Sequence, residues 1–167
     1  MTNPDGLKQD LATTRERLMA AIAGVSEQQF KKRPAATPED PEPWCIAELL
    51  AHILDFEQLW MARIAQALDR PESAVEPSDD ATHQATARAG RLAPVPQLVH
   101  GLVAARRGLD QLVDRAGAGD GLNRAVLHPT RGRLTVAWMV QTYGIGHQQE
   151  HIGQIERLKE LVGTSAV

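Results

Sequence analysis

Near the C-terminal end of the chain, the run Gly144-Ile145-Gly146-His147-Gln148-Gln149-Glu150-His151-Ile152-Gly153-Gln154-Ile155 sets two histidines four residues apart. On a helix, positions i and i+4 lie about 40° apart in projection and one turn apart along the axis, so both imidazoles reach one point beside the helix. That is half of a metal site. A catalytic zinc-like ion takes three protein ligands and leaves a position to water or substrate, so a third ligand is expected elsewhere. The remaining histidines are His52, His83, His100 and His128. With Cys45 the only cysteine, there is no cysteine cluster to bind metal and no intrachain disulfide, and a site must rest on histidine.

The elements that must position these residues follow from periodicity. Leu7, Leu11, Leu18 and Ile22 mark a first helix from Asp5 to about Ala23, stopped by Gly24, with one further turn over Ser26–Phe30. Arg33 to Pro43 holds Pro34, Pro38, Pro41 and Pro43 and reads as a stiff surface connector. A second helix runs from Trp44-Cys45 to about Asp69 on the stripe Leu49, Ile53, Phe56, Trp60, Ile64 and Ala67 or Leu68. His52 stands beside that stripe. Alone it would read as a core or boundary histidine satisfied by a neighbour; with a histidine pair on another helix, it reads as the third ligand.

Pro71 to Ala93 lacks an apolar period and is expected to be loop, with a helical turn around Ala81–Arg88. More than twenty residues can climb back along a helix of about 35 Å, which would let the third helix run parallel to the second. His83 in this loop is expected in solvent. Helix three spans about Pro94 or Pro96 to Gly117 on Val95, Leu98, Val99, Leu102, Leu109, Leu112 and Val113; His100 falls off the stripe and is expected in solvent too. Ala118 to Arg133 reads as a second connector, with His128 as a loop residue or a cover for the site mouth. Helix four starts at Thr135 as N-cap and carries Val140, Tyr143 or Gly144, His147, His151, Ile155 and Leu158 on one face to about Val162. Gly144 and Gly146 cost helix propensity, about 1 kcal/mol each. They imply a close neighbour helix, space for a ligand, or a local kink.

The expected fold is therefore all-α: a four-helix bundle with a long crossover between helices two and three, one domain over residues 1–167. No apolar run approaches the roughly 20 residues of a membrane span, and Met1–Asp5 lacks the regions of a signal peptide, so a cytoplasmic protein is the expectation. A net charge of −3 with scattered basic residues argues against a nucleic-acid footprint. Three histidines converging in a bundle would hold zinc, nickel or another divalent ion. The competing reading is a buried histidine pair satisfied by Gln148, Gln149 or backbone. His147-Gln-Gln-Glu150-His151 also matches the H-x-x-E-H pattern of inverted zincins, but those enzymes need a further acidic ligand well downstream, and only sixteen residues follow His151.

Three segments in order, Trp44-Cys45-Ile46-Ala47-Glu48-Leu49-Leu50-Ala51-His52-Ile53, Gly132-Arg133-Leu134-Thr135-Val136 and His147-x3-His151-x2-Gln154-Ile155, resemble the DinB-like superfamily of metalloenzymes over about residues 5–162. That superfamily includes transferases dependent on bacillithiol or mycothiol. The resemblance implies a four-helix bundle with a non-sequential helix arrangement and a metal triad of His52, His147 and His151. It also implies an S-transferase or isomerase, or a related hydrolase, that uses a low-molecular-weight thiol on a small-molecule substrate. A homodimer is expected as well. Two departures stand out. Cys45 replaces the usual serine cap, leaving Glu48 to reach back to its N–H, and Trp138 stands where an acidic residue is common. Cys45 is either a buried inert thiol or an activated one at a helix N-terminus. Glu150, about 60° from His147 in projection, and Glu48 are the acidic candidates for catalysis, orienting an imidazole or moving a proton. The alternative function is a non-catalytic, metal-stabilised bundle acting as a stress-response binding or dimerisation module. It would have a closed site with no cavity beside it.

Overall fold

A computed structural model describes residues 3–163; the two ends of the 1–167 domain expectation lie outside the described residues. Helix α1 (Pro4–Ile22) begins at Asn3, whose side chain accepts from the Gly6 N–H, with Pro4 in the first turn. Helix α2 (Glu27–Lys31) is a single turn closed by a Ser26–Gln29 capping box. Helix α3 (Ile46–Asp69) starts at Cys45, and the Glu48 carboxylate accepts from the Cys45 N–H at 2.8 Å, as the spacing anticipates.

The segment after α3 is more ordered than its sequence suggests. Ser73–Ala74 forms a short strand, β1, and Asp80–Ala89 forms α4 with Asp79 as N-cap; a 3-10 turn over Gly90–Leu92 follows. Only Ala87 of α4 is buried, so no apolar period announces the helix. Helix α4 climbs back along α3: His83 meets Asp55, and Gly90 sits on Ala47 and Ala51. A Cβ at Gly90 would lie 2.3 Å from that of Ala51, so only glycine permits this approach. Helix α5 (Val95–Ala116) then runs parallel to α3, as the register Gly101 on Leu54 and Gly108 on Met61 shows.

The expected second connector holds a small sheet. β2 (Ala125–His128) pairs parallel with β1 and antiparallel with β3 (Gly132–Thr135). Strands of two and four residues are too short for alternation to be read, which is why this segment resembles loop in sequence. Thr135 caps the last helix by accepting from the Trp138 N–H at 3.2 Å. That helix has three parts: α6 (Val136–Met139), a π-helical stretch (Val140–Gly146) and α7 (His147–Gly163). The His147 N–H bonds to the Thr142 carbonyl, five residues back.

Contacts fix the bundle. Lys8–Asp114 and Arg15–Asp110 make α1 antiparallel to α5. Trp60 on Tyr143 and His52 on His151 make α3 antiparallel to the last helix, and Leu11 at Gly144 with Lys159 at Ala23 makes α1 parallel to it. The order round the bundle is α1, α5, α3, α7, so chain neighbours α1 and α3 sit on a diagonal. Two apolar clusters fill the interior. One is built on Leu7, Leu11, Trp60, Ile64, Leu109 and Met139, the other on Leu18, Ile46, Leu50, Leu102, Ile152 and Ile155.

Candidate metal centre

The polar residues lie at the level where these two clusters meet. Arg106 of α5 is buried and donates from Nη1 to the Gly144 carbonyl at 2.8 Å and from Nη2 to the Gln148 amide oxygen, while its Nε lies 2.9 Å from Glu57 Oε1. Burial pushes the Glu57 carboxyl up to about 7, with the Arg106 guanidinium acting against that rise. The Glu57–Arg106 pair thus grips the π-helical stretch directly before His147. A Cβ at Gly144 would meet Leu109 at 2.9 Å and Leu11 at 3.4 Å, so the close neighbour helices and the altered helical register both account for glycine here.

His52, His147 and His151 converge. His147 Nε2 is 3.2 Å from His52 Nε2 and 3.0 Å from His151 Nε2, and all three ring nitrogens lie within 4.8 Å of one another. Phe56 stacks on His147, centroids 4.7 Å apart and planes at 17°, and Trp44 closes on His52 at 5.2 Å. Burial first, then the charge of His151, pushes His52 down to about 4 and His147 to about 3, so both are neutral near pH 7. His151 Nδ1 pairs with Gln154 Oε1 at 2.7 Å. The amide oxygen is an acceptor, so Nδ1 carries the proton and the inward Nε2 a lone pair.

The trio does not satisfy itself as a hydrogen-bonded core cluster. One N–H on His147 Nε2 can serve one neighbour, leaving a lone pair facing it on the other side. A divalent ion would serve all three, because Zn–N bonds of about 2.0–2.1 Å at tetrahedral angles put ligand nitrogens roughly 3.3 Å apart. Gln148 is held by Arg106, Gln149 is exposed, and neither bonds an imidazole. A cavity of about 870 Å³ opens beside His52 and His151, lined by the proline-rich segment from Pro34 to Trp44, by Gln84 and Arg88 of α4, and by Gln154, Arg157 and Leu158 of α7.

Glu48 is fully buried, with its carboxylate on the Cys45 N–H and the Arg33 guanidinium rather than on an imidazole. The Glu150 side chain is exposed and makes no hydrogen bond or ion pair with the described residues. Burial pushes the Cys45 thiol up to about 11, so it stays protonated at the helix start. His100 is exposed as expected. Two other histidines require correction. His128 ends β2, buried, with Nδ1 accepting from the Thr130 N–H at 3.3 Å; it is neither a loop residue nor part of the cavity lining. His83 is not in open solvent: its side chain is 13% exposed, its Nδ1 pairs with the Asp55 carboxylate, and its ring lies 5.0 Å from that of Phe56. Sequence spacing carried no signal for this, since Asp55 and His83 meet only when α4 folds back along α3.

Fold and site together define a helical bundle with a three-imidazole centre beside an open cavity. The chain belongs to the DinB superfamily, whose family model matches residues 10–155. No curated protein matches it in sequence. Among solved structures it is similar to YfiT from Bacillus subtilis, described as a probable metal-dependent hydrolase with an unusual four-helix bundle topology, with TM-score 0.76 and 20% identity over 96% of this chain and 87% of that one. It is also similar to the colibactin self-resistance protein ClbS, solved with double-stranded DNA, with TM-score 0.72 and 12% identity over 96% and 97% of the two chains. A mycothiol-dependent maleylpyruvate isomerase gives TM-score 0.71 and 13% identity over 93% of this chain and 63% of that one. At these identities the likeness bears on fold.

Proposed function

We propose that the protein is a metal-dependent enzyme acting on a small molecule, with His52, His147 and His151 as ligands of a zinc-like or nickel-like divalent ion. The observation that supports this most is His147 Nε2 at 3.2 Å from His52 Nε2 and 3.0 Å from His151 Nε2, with His52 and His151 on the wall of a cavity of about 870 Å³. A closed, purely structural site would have no such cavity beside it. Bound there, a divalent ion supplies Lewis acidity that lowers the pKa of a water or thiol. The chain's own residues do the rest. Gln154 holds His151 in the ligating tautomer, and Phe56 and Trp44 fix the rings of His147 and His52. Leu49, Leu158 and the prolines make the cavity wall apolar, and Gln84, Arg88 and Arg157 give it polar groups to orient a ligand.

We take the nucleophile to be a low-molecular-weight thiol of the mycothiol or bacillithiol kind, and the reaction to be S-transfer or isomerisation. The superfamily and its mycothiol-dependent relative support this choice. A net charge of −3 and a cavity rather than a basic face favour a small molecule over nucleic acid. Glu48 then acts as a helix cap, and Glu150 is left as an exposed acid on the ligand helix itself, between His147 and His151. A homodimer is proposed as well, and light scattering on the purified protein tests it. The activity test is loss of thiol from a mixture of zinc-loaded or nickel-loaded protein, mycothiol or bacillithiol, and an electrophile. Consumption that needs both metal and thiol is expected. Turnover that needs metal but not thiol would replace transfer with hydrolysis, and no turnover with either metal would contradict the reading.

A further inference from the structure

Phe56 is ringed by three imidazoles. Its ring centroid lies 4.8 Å from His52, 4.7 Å from His147 and 5.0 Å from His83. Two of these belong to the metal centre, and the third has no place in it. Instead His83 has the features of a held base. Its Nδ1 faces the Asp55 carboxylate, whose helix is the one that carries His52. A carboxylate on Nδ1 fixes the proton there, leaves Nε2 as the basic nitrogen, and stabilises the imidazolium that forms when Nε2 accepts a proton. A second carboxylate, Asp79, caps the same helix one turn back and stands close enough to feel the His83 charge. Asp55 and His83 in turn both act on the charge of His52. His83 does not itself line the cavity; its side chain is 13% exposed, and its helix neighbour Gln84 lies on the cavity wall. Neither acid expected from the sequence is so placed: Glu48 is locked between Arg33 and the Cys45 N–H, and Glu150 is exposed without an orienting partner among the described residues.

We infer that the Asp55–His83 dyad is the proton acceptor and donor for the ligand that enters the three-histidine centre. The inference rests on the proposed thiol-dependent reading. As the thiol enters, its S–H bond breaks, the proton passes to His83 Nε2, and the sulfur keeps the electron pair as thiolate. Asp55 balances the imidazolium charge, and the same proton is returned to the product at the end of the cycle. No oxidant or further reactant is needed.

Proton counting by titration calorimetry tests this without reference to turnover. Zinc-loaded protein is titrated with 2-mercaptoethanol at pH 8 in two buffers of different ionisation enthalpy, for the wild type and for His83→Gln and Asp55→Asn. In His83→Gln the introduced side-chain amide keeps an N–H for Asp55 while the basic nitrogen is removed, so a packing role predicts no change. The expected result is unchanged zinc content in all three proteins, with His83→Gln releasing close to one proton more per thiol bound than the wild type and Asp55→Asn falling between. Equal proton release from wild type and His83→Gln, with both binding thiol, would overturn the dyad while leaving the metal and thiol reading intact. Wild type that holds zinc but binds no thiol would overturn that reading and this inference together.

Discussion

At the level of single residues, the proposed centre depends on the tautomers of its imidazoles. Gln154 fixes His151 with its bare nitrogen inward, and outer partners of ligating histidines typically contribute 10–100-fold in metal affinity. Gln154→Ala is therefore expected to weaken zinc binding by about that factor in a competition titration with a chromophoric chelator, with little change in the fold. Neutrality of the imidazoles also has a cost at low pH. His52 and His147 lie well below their ordinary value in the folded chain, so below about pH 6.5 the unfolded chain binds protons that the metal-free folded chain refuses. The stability that these two imidazoles contribute to the metal-free protein should be level above that pH and should fall as pH drops from about 6.5 toward about 4, while Glu57, raised to about 7, opposes that fall by protonating first in the folded chain. Urea midpoints across that range measure it, and His147→Ala should flatten the slope. The histidine trio was legible in sequence because i, i+4 spacing and a third histidine beside an apolar stripe need no tertiary knowledge. His83 was not, because its meaning depends on Asp55 and Phe56, which lie on another helix.

Among the elements, the π-helical stretch has the clearest consequence for the site. It changes the helical register ahead of His147, and its Gly144 carbonyl is taken by Arg106, which also holds Gln148 and pairs with Glu57. Breaking a buried pair by removing one partner leaves an uncompensated charge and costs about 3–5 kcal/mol. Glu57→Leu, which leaves the buried Arg106 guanidinium without its carboxylate, should lose about that much in denaturant unfolding, whereas a truncation at exposed Arg107 should stay within about 0.5 kcal/mol. The four long helices could be read from apolar periodicity alone. The π-helical stretch could not, since two glycines permit it without specifying it, and α4 was legible only as a helical turn around Ala81–Arg88 because its alanine-rich, mostly exposed sequence has one buried residue.

The whole molecule joins two helical pairs. α3 runs parallel to α5, α1 runs parallel to α7, and the long crossover through α4 makes the first pairing possible. The connector length anticipated that arrangement, and the three-stranded sheet that follows was beyond reach because its strands have two to four residues. On the proposed reading one ligand would come from α3 and two from α7, so metal binding would tie together helices distant in sequence and should stabilise the folded state by mass action. At a thousandfold excess over Kd this amounts to about 4 kcal/mol, or roughly 8–16 °C in Tm for a chain of this size. Differential scanning fluorimetry with and without zinc measures the shift, and His52→Ala should abolish it.

The central claim is that His52, His147 and His151 form one metal site. Elemental analysis of untagged protein purified without chelators, beside the His52→Ala and His147→Ala variants, tests it most directly. Close to one equivalent of zinc, nickel or a similar divalent ion per chain, lost in both variants, is the predicted result. No stoichiometric metal in the wild type, even after incubation with each ion, would contradict the account and leave the three imidazoles as core residues of a helical binding module.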